Sequence, residues 1–253
     1  MRATTRSATV AALTLVFAAP LLGQATLLRV APAEGSVSQY VIESETSMAG
    51  AVMSTTQIYR TETIASAAGD VIEIQAVIDS STATAAIPGA ATPDLSGMSY
   101  TFGMDVRGRA RGLTDVGTLS PEAETAMRVM LAASFFELPE GEASPGDSWS
   151  GQATTEMPTA MGGTMTMETD ITYTLVGLEG DLAEISLEGT VTMSGNAGGM
   201  MIDGTGGVSG TAIFDPDRSR LQSHDSVMDV DINAGGMATT MQTSTAIRLL
   251  RAG

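Results

Sequence analysis

The sequence predicts a mainly β protein: about eleven long antiparallel strands in a curved half-barrel, barrel or sandwich, made of two repeats, plus one amphipathic helix. Three observations carry this. Thr, Val, Ile and Met alternate with polar residues at period two, which marks strands with one dry and one wet face. One mid-chain segment switches to helical spacing. A strand–turn–strand unit recurs 111 residues on, with Glu62 aligned to Tyr173.

The chain opens on a segment expected to be removed. Arg2 and Arg6 form a positive start, Ala8 to Leu22 is apolar apart from Thr9 and Thr14, and Gly23-Gln24-Ala25 supplies a cleavage site. Residues 1–25 therefore read as a signal peptide, too short for a comfortable transmembrane helix. Leu21-Leu22-Gly23 begins like a lipoprotein processing site, but Gln24 stands where the lipidated Cys would be. The chain holds no Cys, so thioether lipidation and disulfides are both excluded. The expected location is exported, periplasmic or extracellular, and not lipid-anchored.

Strands are expected near 36–48, 52–66, 71–82, 98–106, 109–116, 147–159, 163–177, 181–194, 207–215, 219–233 and 238–250. In one of them Met165, Met167, Ile171, Tyr173 and Leu175 share a face, with Glu168, Asp170, Thr172 and Thr174 opposite. In another, Met228, Val230 and Ile232 oppose Val227, Asp229 and Asp231. Strands this long curl. The helix is expected over 120–138. Ser120 is a good N-cap, Pro121 suits the first helical position, Glu122 and Glu124 favour the N-terminus, and Pro139 ends it. Met127, Met130, Leu131, Phe135 and Leu138 fall at helical spacing.

The repeat aligns residues 62–74 with 173–185. Nearly the same offset pairs Gly35 with Gly146, the loop 84–97 with a Gly-rich loop 195–207, and Asp105 with Asp215. Two copies, about 35–139 and 146–251, are expected within segments 26–139 and 140–253, as one continuous fold. The helix closes only the first.

Charge narrows the partners. There are 29 acids against 12 bases, every base is Arg, and the formal net charge is −17. Nucleic acid is excluded, because phosphate binding needs clustered positive charge. An integral membrane protein is not expected: long apolar runs are missing after residue 25, and one Trp, four Tyr and five Phe are too few for aromatic girdles.

Chemistry-bearing motifs are sparse. Ser223-His224-Asp225 are consecutive, so on a strand they alternate faces and cannot form a triad. His224 reads as an exposed strand histidine. One His and no Cys build no zinc site, and neither a metal nor a cofactor is expected. Asp215-Pro216-Asp217 reads as a tight turn. Of the 17 Met, Met157, Met161, Met165, Met167, Met200 and Met201 loosely suggest thioether copper(I) ligands. Core filling and an apolar pocket are the competing readings, and core filling leads. Arg107, Arg109 and Arg111 would share a face if extended, where they neutralise neighbouring acids.

Pro139 followed by Pro145-Gly146-Asp147-Ser148-Trp149-Ser150, with a Tyr-bearing strand at Gln39-Tyr40-Val41-Ile42, carries a resemblance. A Gly-Asp-x-Trp turn after a helix ending in Phe/Leu-Pro resembles an uncharacterised domain-of-unknown-function family of secreted bacterial β proteins. The resemblance implies an envelope or secreted location and supplies no site residues. The architecture is also similar to the unclosed barrels of periplasmic lipoprotein carriers, a likeness of fold alone.

The function expected is that of an exported non-enzymatic protein that binds an apolar ligand, such as a lipid or acyl chain, between curved sheet and helix. Met127, Met130, Leu131 and Phe135 would form one wall, and Met165, Met167, Ile171 and Tyr173 the other. A carrier of this kind needs a cavity of at least roughly 300 Å3. The alternatives are a structural or protein-interaction module of the cell envelope with a filled core, and a hydrolase with an unrecognised acid pair. No catalytic residue is assigned.

Overall fold

The computed structural model describes residues 25–86, 94–115, 124, 127, 128, 131, 136–159 and 162–253. The strands are β1 (Thr26–Leu27), β2 (Val37–Met48), β3 (Ala51–Ser66), β4 (Val71–Ala85), β5 (Ser99–Asp105), β6 (Ala110–Asp115) and β7 (Glu142–Ala143). They continue with β8 (Ser148–Pro158), β9 (Thr164–Glu179), β10 (Leu182–Ala197), β11 (Met200–Asp215), β12 (Arg220–Ala234) and β13 (Met237–Ala252). Eleven of them form one antiparallel sheet in the order β6-β5-β4-β3-β2-β13-β12-β11-β10-β9-β8. The sheet is open: β6 and β8 are its two edges and do not pair. It is neither a closed barrel nor a sandwich of two large sheets. The expected eleven strands are these eleven; β1 and β7 pair apart as a short two-stranded ribbon.

Period-two alternation explains the burial. On β4, Ile72, Ile74, Ala76 and Ile78 are buried while Val71, Glu73 and Gln75 are exposed. On β9, Tyr173 and Leu175 are buried, Met165, Met167 and Ile171 half-buried, and Glu168, Asp170 and Thr172 exposed. The dry faces meet in one main core that joins Ile42, Ile74 and Phe102 with Ile185, Phe214 and Ile247. Leu28 and Val30, on the segment following β1, and Leu138, before β7, cover it from the open side.

Of the helix expected over 120–138, the described residues Glu124, Met127, Arg128 and Leu131 have helical backbone, and Glu124 pairs with Arg128 at 2.6 Å. Residues 136–139 are not helical. The remainder of that segment lies outside the described residues, as do residues 1–24 and 87–93.

The Gly-rich stretch 195–207 is not a loop. It forms the end of β10, a turn at Gly198-Gly199, and the first half of β11. The reason lies in the register between these two strands. Successive inward pairs are Ala183 with Phe214, Ile185 with Ala212, Leu187 with Gly210 and Gly189 with Val208. Val191 with Gly206, Met193 with Gly204 and Gly195 with Ile202 complete the row. Each pair sets one large side chain against one small residue, so the large side chains fill the space the small ones leave. Inward glycines here are positions of close approach, not turn signals. A Cβ at Gly206 would overlap the Asp229 carbonyl oxygen, and one at Gly210 the Asp225 carbonyl oxygen.

The 111-residue spacing has a geometric counterpart. The β3–β4 and β9–β10 hairpins turn at Gly69-Asp70 and Gly180-Asp181, with φ of +80° and +62° at the glycines. Asp105 and Asp215, which end β5 and β11, are both buried. Asp105 accepts from the backbone N–H groups of Arg107 and Arg109, and Asp215 from that of Arg218. Each carboxylate also holds an arginine from its own turn, Arg109 at 2.7 Å and Arg218 at 3.1 Å.

The glycine register is testable by a paired substitution. Gly206→Ala pushes a methyl group into backbone and is expected to lower unfolding stability by about 3 kcal/mol. Gly207→Ala, on the outer face with ordinary room, is expected to be neutral or slightly stabilising. Urea denaturation of both variants checks this; equal effects would contradict the packing account.

Candidate functional site

The sequence-predicted pocket residues divide between two hydrophobic clusters. Met127 and Leu131 are buried, 0% and 4% exposed, and belong with Tyr173 to the main core, against which Ile171 packs. Met165 and Met167 instead pack against a second cluster built on Val191, Met193 and Val230. Met130 and Phe135 lie outside the described residues. Among the thioether candidates, Met157 joins Met165 and Met167 in the second cluster, Met200 and Met201 are exposed, and Met161 lies outside the described residues.

A cavity of about 410 Å3 opens elsewhere, at the junction where β2 meets β13. Its inner wall is apolar: Ile64, Ile74, Met104, Phe214 and Ile247. Tyr40, Phe136 and Leu221 narrow it, and Val30 to Ala33 cross over it from the segment before β2. That segment is tied at both ends, by Val30 N–H to the Val106 carbonyl at 2.8 Å and Gly35 N–H to the Ile64 carbonyl at 2.9 Å. A wider groove of about 580 Å3 is lined mainly by Ser, Thr and the acids Glu43, Glu45 and Asp225, with Val227 and Ala246 among them.

Charged groups are set into the apolar cavity. Arg60, on β3, is 4% exposed. Its Nη2 lies 2.7 Å from Glu62 Oε1, and its Nη1 donates to the Tyr100 hydroxyl at 3.4 Å. The contact with Glu62 is not aligned as a hydrogen bond, so Glu62 Oε1 lacks a hydrogen-bond partner, and Arg60 Nε lacks one too, among the described residues. Burial disfavours the Arg60 charge, but Glu62 together with the Tyr100 and Tyr40 hydroxyls outweighs it and holds the guanidinium firmly protonated. Burial likewise pushes the Tyr40 hydroxyl far above its ordinary range, so the phenol stays neutral. Arg220, at the start of β12, reaches the same cavity, and its buried Nε has no partner.

Phe136 is held in place by a clasp. Trp149 Nε1 donates to the Glu137 carbonyl at 2.7 Å, and its ring stacks on Tyr173 at 5.9 Å. Arg107 pairs with the Glu137 carboxylate at 2.7 Å, donates through Nε to the Leu138 carbonyl, and accepts the Leu138 N–H on its own carbonyl. This gives the Gly-Asp-x-Trp turn a physical role. Gly146 takes φ +94°, Asp147 accepts the Ser144 N–H, and Trp149 then fastens the segment bearing Phe136. Arg107, Arg109 and Arg111 do meet acids, but Arg107 lies in a turn and not on an extended stripe.

His224 is not an exposed strand histidine. It is 4% exposed, lies edge-on to Phe136 at 6.3 Å, and neither ring nitrogen has a hydrogen-bond partner among the described residues. The reason is parity: His224 falls on the same β12 face as Met228, Val230 and Ile232. Burial pushes its pKa down to about 4, so the ring is neutral. Among the described residues, no three His, Asp or Glu side chains gather as a metal site, and no helix is long and apolar enough to cross a membrane.

Residues 122–218 match the family model of DUF6263, a family of unknown function. The match runs from the helical segment, through the Gly146–Trp149 turn, to the turn after β11. It is consistent with the resemblance to an uncharacterised family drawn from that turn. No curated protein matches the chain.

Two measurements follow from these contacts. Trp149→Phe keeps the stack on Tyr173 but loses the bond to Glu137, and is expected to cost about 1–2 kcal/mol in denaturant unfolding. His224 has its effect between pH 6.5 and about 4, where the unfolded chain binds a proton that the folded chain refuses. Stability is therefore complete above pH 6.5 and falls by about 3 kcal/mol as pH drops through that window. Asp105 and Asp215, whose hydrogen bonds hold them below the ordinary value of 3.8, lose their contribution only at more acid pH. His224→Leu should remove the slope between pH 6.5 and 4, with the change read in urea midpoints.

Proposed function

We propose that this is an exported, non-enzymatic protein that binds an apolar ligand of the lipid or acyl-chain class. The ligand would lie in the cavity at the β2–β13 junction. The observation that carries this reading is the cavity of about 410 Å3 over the apolar side chains of Ile74, Phe214 and Ile247. That volume lies within the range of small-molecule sites. The four acids most withdrawn from water, Glu62, Asp105, Glu137 and Asp215, are each committed to an arginine, which suits a binding scaffold better than proton transfer.

A protein-interaction module is the second reading. Met48, Val52, Met200, Met201 and Met237 are exposed near hairpin tips at one end of the sheet, and methionine suits adaptable contacts.

The test is extraction and occlusion. Mass spectrometry of organic extracts from the purified mature chain is expected to show co-purifying lipid, and added acyl chains should raise Tm. Ile74→Trp, which fills the cavity floor, should retain the β circular-dichroism spectrum and lose both effects. Absence of lipid together with absence of a thermal shift in the unmodified chain would sink the carrier reading.

A further inference from the structure

We infer that the cavity selects an amphiphile carrying one negative charge, a carboxylate of the fatty-acid type, with Arg220 as the group that receives it. This rests on the apolar-ligand reading above and names the headgroup. In a chain of net charge −17, arginines should find acids easily. Among the described residues, Arg60, Arg107, Arg109, Arg111, Arg128, Arg218 and Arg248 each pair with a carboxylate. Arg29 and Arg251 are exposed and need no partner. Arg220 alone among the described residues is half-buried, lines the cavity and has no carboxylate within ion-pair distance, although its charge helps to hold the buried Asp215 ionised.

The second observation is independent. Arg60 is buried against the same cavity with its Nε unpartnered, although its charge is matched by Glu62. Arg60 thus places a second guanidinium on the cavity wall beside Arg220. The charged residues lining the cavity are Arg60, Arg218 and Arg220 against Glu62 and Asp217, an excess of one positive charge. Arg218 is engaged by Asp215 outside the cavity, and Asp217 is exposed at the mouth, where water screens it. The excess fits a monoanion. A guanidinium presents the paired donors that a carboxylate accepts, and the apolar wall beyond suits a hydrocarbon chain.

The experiment compares two probes of equal chain length, dodecanoate and dodecanol, titrated calorimetrically into delipidated mature protein at neutral pH. The unmodified chain is expected to bind dodecanoate about tenfold more tightly than dodecanol, the scale of one charge-assisted pair. Arg220→Gln should remove that preference by weakening dodecanoate far more than dodecanol, and Arg220→Lys should restore part of it. Equal affinity for both probes in the unmodified chain would overturn the headgroup assignment and leave the apolar-ligand reading standing. A parallel loss of both probes in Arg220→Gln would assign Arg220 a structural role instead and also overturn it. Binding of neither probe to the unmodified chain would sink the apolar-ligand reading itself.

Discussion

One ladder joins eleven strands into a single large sheet. β2 lies near the start of the described chain and β13 at its end, yet they pair from Ser38 with Ala252 to Met48 with Met241. Val37 and Gly253 extend the contact by exchanging backbone hydrogen bonds. Every other neighbouring pair in the large sheet joins strands consecutive in the chain. Without this ladder, β2–β6 and β8–β13 would be two separate meanders, each with two open edges and half a core. Closing it brings Ile42 opposite Ile247 and fuses the two inner faces. The closure joins residues about 200 apart, so its entropy must be met before its contacts form, which points to slow folding.

The cavity follows from where that ladder lies. β2 and β3 supply Tyr40, Arg60 and Glu62, while β11 to β13 supply Phe214, Arg220 and Ile247. No hairpin by itself contains the site. The open sheet leaves its dry face to be covered by other segments, and Val30 to Ala33 and the Phe136–Leu138 stretch do this over the junction. The Trp149–Glu137–Arg107 clasp sets the position of Phe136, which touches both the cavity and the ring of Phe214 at 6.0 Å. A turn motif near the edge strand β8 thereby shapes a site several strands away.

Much of the fold was legible because period two is an unambiguous code when one face is dry. The faces of β9 and β12 could be written out from Met165 to Leu175 and from Val227 to Ile232 before any coordinates. The same parity places His224 inward; its polarity suggested the wet face, and the burial of its ring shows that the strand period outweighs the residue's own preference. Glycine misled in the same way. Residues 195–207 resemble a loop by composition, but their inward glycines oppose large side chains on the neighbouring strand. That pairing is a property of register, and register is set by partners far away in sequence. The candidate site was hidden for a related reason. Arg60 and Arg220 are ordinary strand arginines until the β2–β13 ladder brings them to one cavity.

The two halves differ where it matters for that cavity. At the 111-residue spacing, Arg60 and Glu62 of β3 correspond to Ile171 and Tyr173 of β9. In the second half these positions pack apolar surface: Tyr173 is in the main core and Ile171 lies against it. A buried ion pair is a poor way to stabilise a core, since desolvating two charges costs about what their attraction returns. The β9 solution is the cheaper one for folding alone. Keeping Arg60 and Glu62 at the equivalent place in β3, where both line the cavity, makes sense if the space is there to be occupied. The asymmetry between the halves thus points the same way as the unpaired Arg220: one half supplies a packed wall, the other a charged seat beside it.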